Sequence, residues 1–302
     1  MTPSARDRLE SGVGYLVDER RVVTGIAGAF GGLRGGESFC RGNLREVRLE
    51  HGAFIPDTAK MTADSIFDLA SVTKLFTCIA VLQLMERGRL SLGAPIAGYD
   101  KRFPHLSGVT VEDLLSFRAA LRTDARLDKQ PSAVDAERLL FAIRPAPAPE
   151  RKFYTDMGAM VLKYVVESVS DLPFFEYLRE NVLLPLGMTR TFARVPDAEQ
   201  NDTICCNYER RIAGGRYLVD TNCPAGTVHD PKARVLTRGR GAPCGHAGLF
   251  SSLNDMTRLA RGLLDNALLS RKTLLSVGVN RTGRRFSDGT YAQYHGYLCY
   301  AK

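Results

Sequence analysis

Ser71-Val72-Thr73-Lys74 stands at the mouth of an apolar stretch that runs from Leu75 to Met85. A serine hydroxyl is a weak nucleophile until a neighbouring group takes its proton. On a helix, a lysine three residues further on lies on the same face, so its amine can approach the serine oxygen. The start of a helix adds partial positive charge and free N–H groups, which favour an oxyanion at that spot. The Ser71 N–H would be one oxyanion donor. The four-residue pattern is short, and its plain alternative is a capped helix with a surface lysine.

These residues must be placed by the elements around them. Leu75, Ile79, Leu82 and Met85 recur at helical spacing, and Gly88 suits the position after a helix end. Before them, residues 4–17 form a candidate amphipathic helix with Leu9, Val13 and Leu16 near one face. Arg21 to Phe30 is β-branched and apolar and breaks at Gly31-Gly32-Leu33-Arg34-Gly35-Gly36, the pattern of a hairpin loop. Ser38 to Leu49 supplies the next strand or two. Further on, Thr110 with Asp113 and Ser252 with Asp255 resemble capping boxes. Ala133 to Ile143 is a helix candidate, Arg144 to Pro149 a stiff connector, and Asp156 can cap a helix running to Val169. Pro173 suits the first turn of a helix ending near Gly187, and residues 200–250 read as long loops. Tyr294 to Ala301 reads as a strand.

Composition narrows the field. The 302 residues are 44% hydrophobic and 25% charged, ordinary values that exclude wholesale disorder. The Leu75–Met85 run ends at Glu86 and is too short to span a bilayer. The first twenty residues lack an apolar secretory core, which gives a cytoplasmic expectation. The net charge is +8, and all of it resides in residues 230–302, with twelve basic and four acidic side chains. No aromatic interleaving or binding motif accompanies that charge, so no nucleic-acid partner is expected. Seven cysteines, an odd number without a C-x-x-C, fit reduced thiols better than a disulfide framework or a zinc site. His51, His105, His229 and His295 have no ligand-like spacing, so neither a metal nor a cofactor is expected.

Asp64 to Lys74 resembles the nucleophile segment of the class C β-lactamase-like serine hydrolases, a family that includes penicillin-binding DD-peptidases and esterases. Three more segments follow in the family's order. Phe153-Tyr154-Thr155-Asp156-Met157-Gly158 resembles its Tyr-x-Asn box, and Asn181 to Thr189 its Pro-Leu-Gly-Met turn. Gly245-His246-Ala247-Gly248-Leu249-Phe250-Ser251-Ser252 resembles its Ala-Gly-Gly-Leu-Phe-Ser-Thr segment. The resemblance implies an α+β, β-lactamase/transpeptidase-like fold, with an antiparallel sheet, helices and an inserted all-helical domain. It implies an α/β subdomain of residues 1–75 and about 266–302, incomplete at its C-terminal side, around a helical subdomain of about 76–265. By the same resemblance Ser71 attacks a carbonyl and is acylated, while Lys74 and Tyr154 share the proton transfer, the choice of base being open. The substrate would be a small molecule or peptide carrying an ester, peptide or β-lactam carbonyl.

The chain departs from that pattern. Asp156 replaces the usual asparagine, and an ionised carboxylate cannot donate as an amide does. It would bind substrate differently, pair with Lys74, or cap its helix. Leu114-Leu115 is followed by Ser116-Phe117-Arg118 rather than His-Thr-Ser-Gly. The third box of the family, Lys-Thr-Gly or His-Thr-Gly, has only Arg281-Thr282-Gly283 as a false counterpart, and its true place would fall after Lys302, which suggests a truncated chain. A non-catalytic, penicillin-binding-like sensor or an inactive fragment on the same scaffold is the alternative function. His246 is expected to be a satisfied loop histidine rather than a base.

Overall fold

A computed structural model describes residues 5–51, 53–147, 154–204, 209–213, 216–220, 225–238, 241–283, 285–290 and 294–301. Contacts group the chain into two compact units. One comprises Met1–Asp68, Met188–Thr227 and Phe250–Leu264, the other Leu69–Gly187, Val228–Leu249 and Asp265–Lys302. This division differs from the one read from the sequence because pairing crosses those boundaries. Phe250–Ser252 runs antiparallel to Ile66–Asp68, and Thr203 bridges Ile66.

The first unit opens with the helix Ala5–Gly14, which widens into a π turn over Tyr15–Glu19. A π turn carries more than 3.6 residues, so the apolar face slips. Val13 and Val17 are buried while Leu16, expected on that face, is exposed. Strands Gly25–Gly32 and Gly35–Gly42 form the expected hairpin, with Gly32 opposite Gly35 and Leu33-Arg34 at the turn. Gly31 is required there, since a Cβ would lie 2.4 Å from the Gly36 Cα. Val47–Glu50 pairs with Ala53–Pro56. The Leu253–Leu264 helix starts where Ser252 Oγ accepts from the Asp255 N–H at 3.2 Å. The buried Asp255 carboxylate accepts from the Arg190 N–H and the Thr191 hydroxyl at 2.7 and 2.8 Å, and from Arg258.

Part of the region expected to be loop is regular. Strands Glu209–Ala213 and Arg216–Asp220 form an antiparallel hairpin, and Pro231–Thr237 is a helix. The Asp230-Pro231 pair starts that helix: Asp230 accepts from the Lys232 and Ala233 N–H groups, and proline suits the first turn. Cys205, Cys206, Cys223, Phe153 and the last two residues of the proline-rich connector, Ala148 and Pro149, lie outside the described residues, while Arg144–Pro145 pairs antiparallel with Leu121–Arg122.

The second unit is built around the helix Thr73–Glu86, in which eleven residues are buried. A helix apolar on all sides must sit in a core. It packs on the helix Met157–Ser170. Thr110 and Asp113 close a reciprocal capping box on Val111–Leu115, and Ser132 caps Ala133–Phe141. Pro173 precedes Phe174–Leu178, which continues as a π turn through Leu183, and Gly187 has a φ of 64°.

The expected terminal strand is not formed. His295 and Tyr300 bridge antiparallel across a tight turn in which Leu298 has a φ of 50°. Arg281-Thr282-Gly283 follows the helix Arg271–Val277 and is not a strand. Arg281 lies 3.9 Å over the Tyr297 ring and pairs with Glu112, which makes it a packing residue.

All named strand pairs are antiparallel, and helices and strands are mixed through the chain. The α+β expectation therefore holds. Among the described residues, no helix is long and apolar enough to cross a membrane.

Candidate active site

Ser71 lies in a 3₁₀ turn, Ala70–Val72, that feeds directly into the helix Thr73–Glu86. The residue before it, Ala70, has a φ of 43°. Left-handed backbone at a residue with a Cβ is strained and clusters at functional turns. The turn is held from below by a second strand of chain. The Leu69 N–H donates to the Leu249 carbonyl at 2.9 Å, and the Leu249 N–H donates to Thr73 Oγ1 at 3.3 Å. Thr77 Oγ1 donates to the Gly245 carbonyl at 2.6 Å. Gly245 has a φ of 77°, and a Cβ on it would lie 2.3 Å from the Ala159 carbonyl oxygen. Only glycine lets this segment lie against the helix Met157–Ser170 and present the next carbonyl, that of His246, to Lys74.

Ser71 is exposed, whereas the Lys74 side chain is only 1% exposed. Lys74 Nζ lies 3.0 Å from Ser71 Oγ, 2.8 Å from Asp156 Oδ1 and 3.3 Å from the His246 carbonyl oxygen. Three acceptors match the three N–H donors of an ammonium. The same positions also suit a neutral amine that donates to Asp156 and His246 and accepts from the Ser71 hydroxyl. The geometry therefore accommodates both sides of a proton transfer without movement.

Asp156 occupies the N-cap position of the helix Met157–Ser170 but makes no side-chain capping bond. Its two oxygens are instead each 2.8 Å from an ammonium, Oδ1 from Lys74 and Oδ2 from Lys232. Burial disfavours its charged form, but His246, Lys74 and Lys232 outweigh burial and hold its pKa below the ordinary value. Lys232 is held above its ordinary value, because Asp156 and Asp230 outweigh the cost of burial.

Tyr154 meets Lys74 through its ring, with Nζ 4.8 Å from the ring centroid. Among the described residues no hydrogen bond joins its hydroxyl to Ser71 or Lys74. The ring lies tilted by 30° against the buried Phe117, 5.2 Å between centroids, and Phe117 itself has a φ of 56°. Of the four residues singled out from the sequence, Ser71, Lys74 and Asp156 are joined by hydrogen bonds, and Tyr154 adjoins them by its ring face.

His246 is buried in its turn, with Nε2 2.9 Å from Asp230 Oδ1. It is a loop histidine with one partnered nitrogen; Nδ1 has no partner among the described residues. Asp230 and Lys232 were not marked by sequence reasoning. Their signal was the Asp-Pro pair at a helix start inside a region read as loop. Ligand atoms of Asp156, Asp230 and His246 lie within 4.8 Å of one another. The two ammonium groups on Asp156 already supply the positive charge that a cation would bring, so this donor set is a poor fit for a metal.

The Asp230 carboxylate is penalised by burial, yet the His246 bond, the Ala233 N–H and Lys232 hold it well below the usual carboxylate range. An unfolded aspartate titrates near about 3.9. Stability from the ionised form is thus complete above that value and is lost as pH falls through the lower folded value. Asp230→Asn should cost about 1–2 kcal/mol at pH 7. The wild-type and variant melting temperatures should converge towards about pH 2. A melting-temperature gap that stays constant from pH 7 to 2 would argue against this assignment.

The beta-lactamase family model matches residues 45–301 of the 302. The chain belongs to the beta-lactamase family. An Escherichia coli (strain K12) protein named "Putative D-alanyl-D-alanine carboxypeptidase" is 27% identical over 235 residues, 68% of this chain and 52% of that protein. The chain spans about half the length of the curated relatives it matches. FmtA from Staphylococcus aureus superposes with a TM-score of 0.69 at 17% identity, covering 99% of this chain and 76% of FmtA. The octameric penicillin-binding protein homologue from Pyrococcus abyssi gives 0.68 at 19% identity, covering 98% and 64%. At these identities the two structures speak to the fold, and they agree with the family assignment.

Proposed function

We propose that this beta-lactamase family member is a serine hydrolase that forms an acyl-enzyme on Ser71. The observation that carries the reading is the exposed Ser71 hydroxyl 3.0 Å from the amine of a lysine buried among three acceptors. In this reading neutral Lys74 takes the Ser71 proton as Oγ attacks the substrate carbonyl carbon. The electron pair of the carbonyl moves to oxygen, next to the Ser71 N–H. The tetrahedral adduct collapses, the bond to the leaving group breaks, and Lys74 returns the proton to the leaving atom. Water then repeats the sequence on the ester and frees Ser71. The face of the Tyr154 ring lies 4.8 Å from Lys74 Nζ, where it attracts the ammonium formed between the two proton transfers.

The substrate class follows from Asp156. An amide at that position could donate to a substrate carbonyl, whereas the ionised carboxylate cannot. We infer that esters and peptide carboxyl ends are better substrates than β-lactams; the name of the Escherichia coli relative supports trying a D-alanyl-D-alanine peptide. The test is a panel of p-nitrophenyl acetate, a D-alanyl-D-alanine peptide and a chromogenic cephalosporin. The expected result is ester or peptide turnover above the uncatalysed rate, with the cephalosporin at least about tenfold slower in kcat/KM. Preferred hydrolysis of the cephalosporin would overturn the substrate class, and no turnover or covalent capture of any of them would overturn the function.

A further inference from the structure

Five residues behind Ser71 close into a ring, four links made by side chains and one by a backbone carbonyl. Lys74 donates to Asp156 Oδ1, and Lys232 lies 2.8 Å from Asp156 Oδ2. Lys232 is also 3.9 Å from Asp230 Oδ2, and Asp230 Oδ1 meets His246 Nε2 at 2.9 Å. The His246 backbone carbonyl then accepts from Lys74 at 3.3 Å, returning to the start. Asp156 gives up the capping bond its position offers in order to sit between the two ammonium groups.

We propose that Lys232 is a positioning residue for the Ser71–Lys74 pair, holding Asp156 against Lys74 while limiting how firmly that carboxylate retains the Lys74 proton. The inference rests on the acyl-enzyme reading above. A carboxylate that faced Lys74 alone would spend all its charge on the ammonium and keep it protonated, which disables it as a base. A second cation on the other oxygen divides that charge and adds repulsion between the two ammonium groups. Asp230 anchors Lys232 and is itself fixed by two backbone N–H groups and His246. Ser71 and Tyr154 adjoin Lys74, Asp156 and His246 accept from it, and Asp230 and Asp128 act on Lys232.

The experiment measures the pH dependence of Ser71 labelling by a fluorophosphonate in the wild type, Lys232→Met and Lys232→Arg, read by intact mass. A side-chain NMR titration of Lys74 is run on the same three proteins. Lys232→Met should move the acid limb of labelling, and the Lys74 titration with it, up by about one pH unit. Lys232→Arg, which keeps the charge, should restore both. A purely structural lysine would change the extent of folding and leave both midpoints in place. Superimposed wild-type and Lys232→Met profiles, with normal wild-type labelling, would overturn the role of Lys232 and leave the hydrolase standing. If the wild type does not label while the Lys74 titration still shifts, the hydrolase reading fails and the electrostatic role of Lys232 survives. An arginine variant that behaves like the methionine variant would overturn it as well.

Discussion

Replacing Ser71 by alanine lowers turnover of an activated ester by at least about 10³-fold and leaves the melting temperature close to that of the wild type. The loss is large because the acyl-enzyme route ends when the attacking oxygen is gone; what remains is binding and the oxyanion site acting on water. The fold is spared because Ser71 is exposed and its side-chain partner in the structure, Lys74, keeps two other acceptors. Surface substitutions of this kind usually move stability by within about 0.5 kcal/mol. Steady-state kinetics with thermal melts on the same preparations check both halves. Retained turnover in Ser71→Ala would place the chemistry elsewhere.

Lys74→Met and Lys74→Arg together test the base. Methionine removes the amine and should lower kcat/KM by about 10³-fold, in the range of general-base losses with some cost in positioning. It also leaves Asp156 with one ammonium instead of two, so about 2 kcal/mol of stability should be lost, less than for a buried charge stripped of all partners. Arginine keeps the positive charge but cannot give up its proton at any accessible pH, so it should not rescue activity. Near-wild-type turnover in Lys74→Arg would show that Lys74 serves only as a fixed charge, and would hand the proton transfer to another group. The Lys232 variants address the neighbouring ammonium and are expected to shift the pH profile rather than its height.

Much of the frame was legible in the sequence because it depends on local rules. The apolar run from Leu75 to Met85 became the buried helix Thr73–Glu86, and Gly88 took its left-handed φ of 68°. The paired glycines around Leu33-Arg34 made the hairpin, and Thr110 with Asp113 made a capping box. The proximity of Ser71 and Lys74 was legible for the same reason, since three residues along a helix share a face. The rest of the site depends on positions far apart in the chain. Lys74 and the His246 carbonyl are 172 residues apart, and Asp156 has three uses open to it from sequence, binding substrate, capping and pairing, between which only tertiary placement decides. The left-handed Ala70 and Phe117 are invisible from residue type, because neither residue favours that conformation on its own. The resemblance implies that Tyr154 shares the proton transfer through its phenol, whereas its ring packs against Phe117 and faces the ammonium. The π turn after Gly14 changed the buried face from Leu16 to Val17, an irregularity that a fixed helical period cannot register.

The chemistry proposed for this site depends on Ser71 being the nucleophile. Fluorophosphonate capture followed by peptide mapping tests it most directly. The expected result is one adduct per chain, on the peptide that carries Ser71, and none in Ser71→Ala. An unlabelled wild-type chain, or an adduct mapped to any other residue, would contradict it.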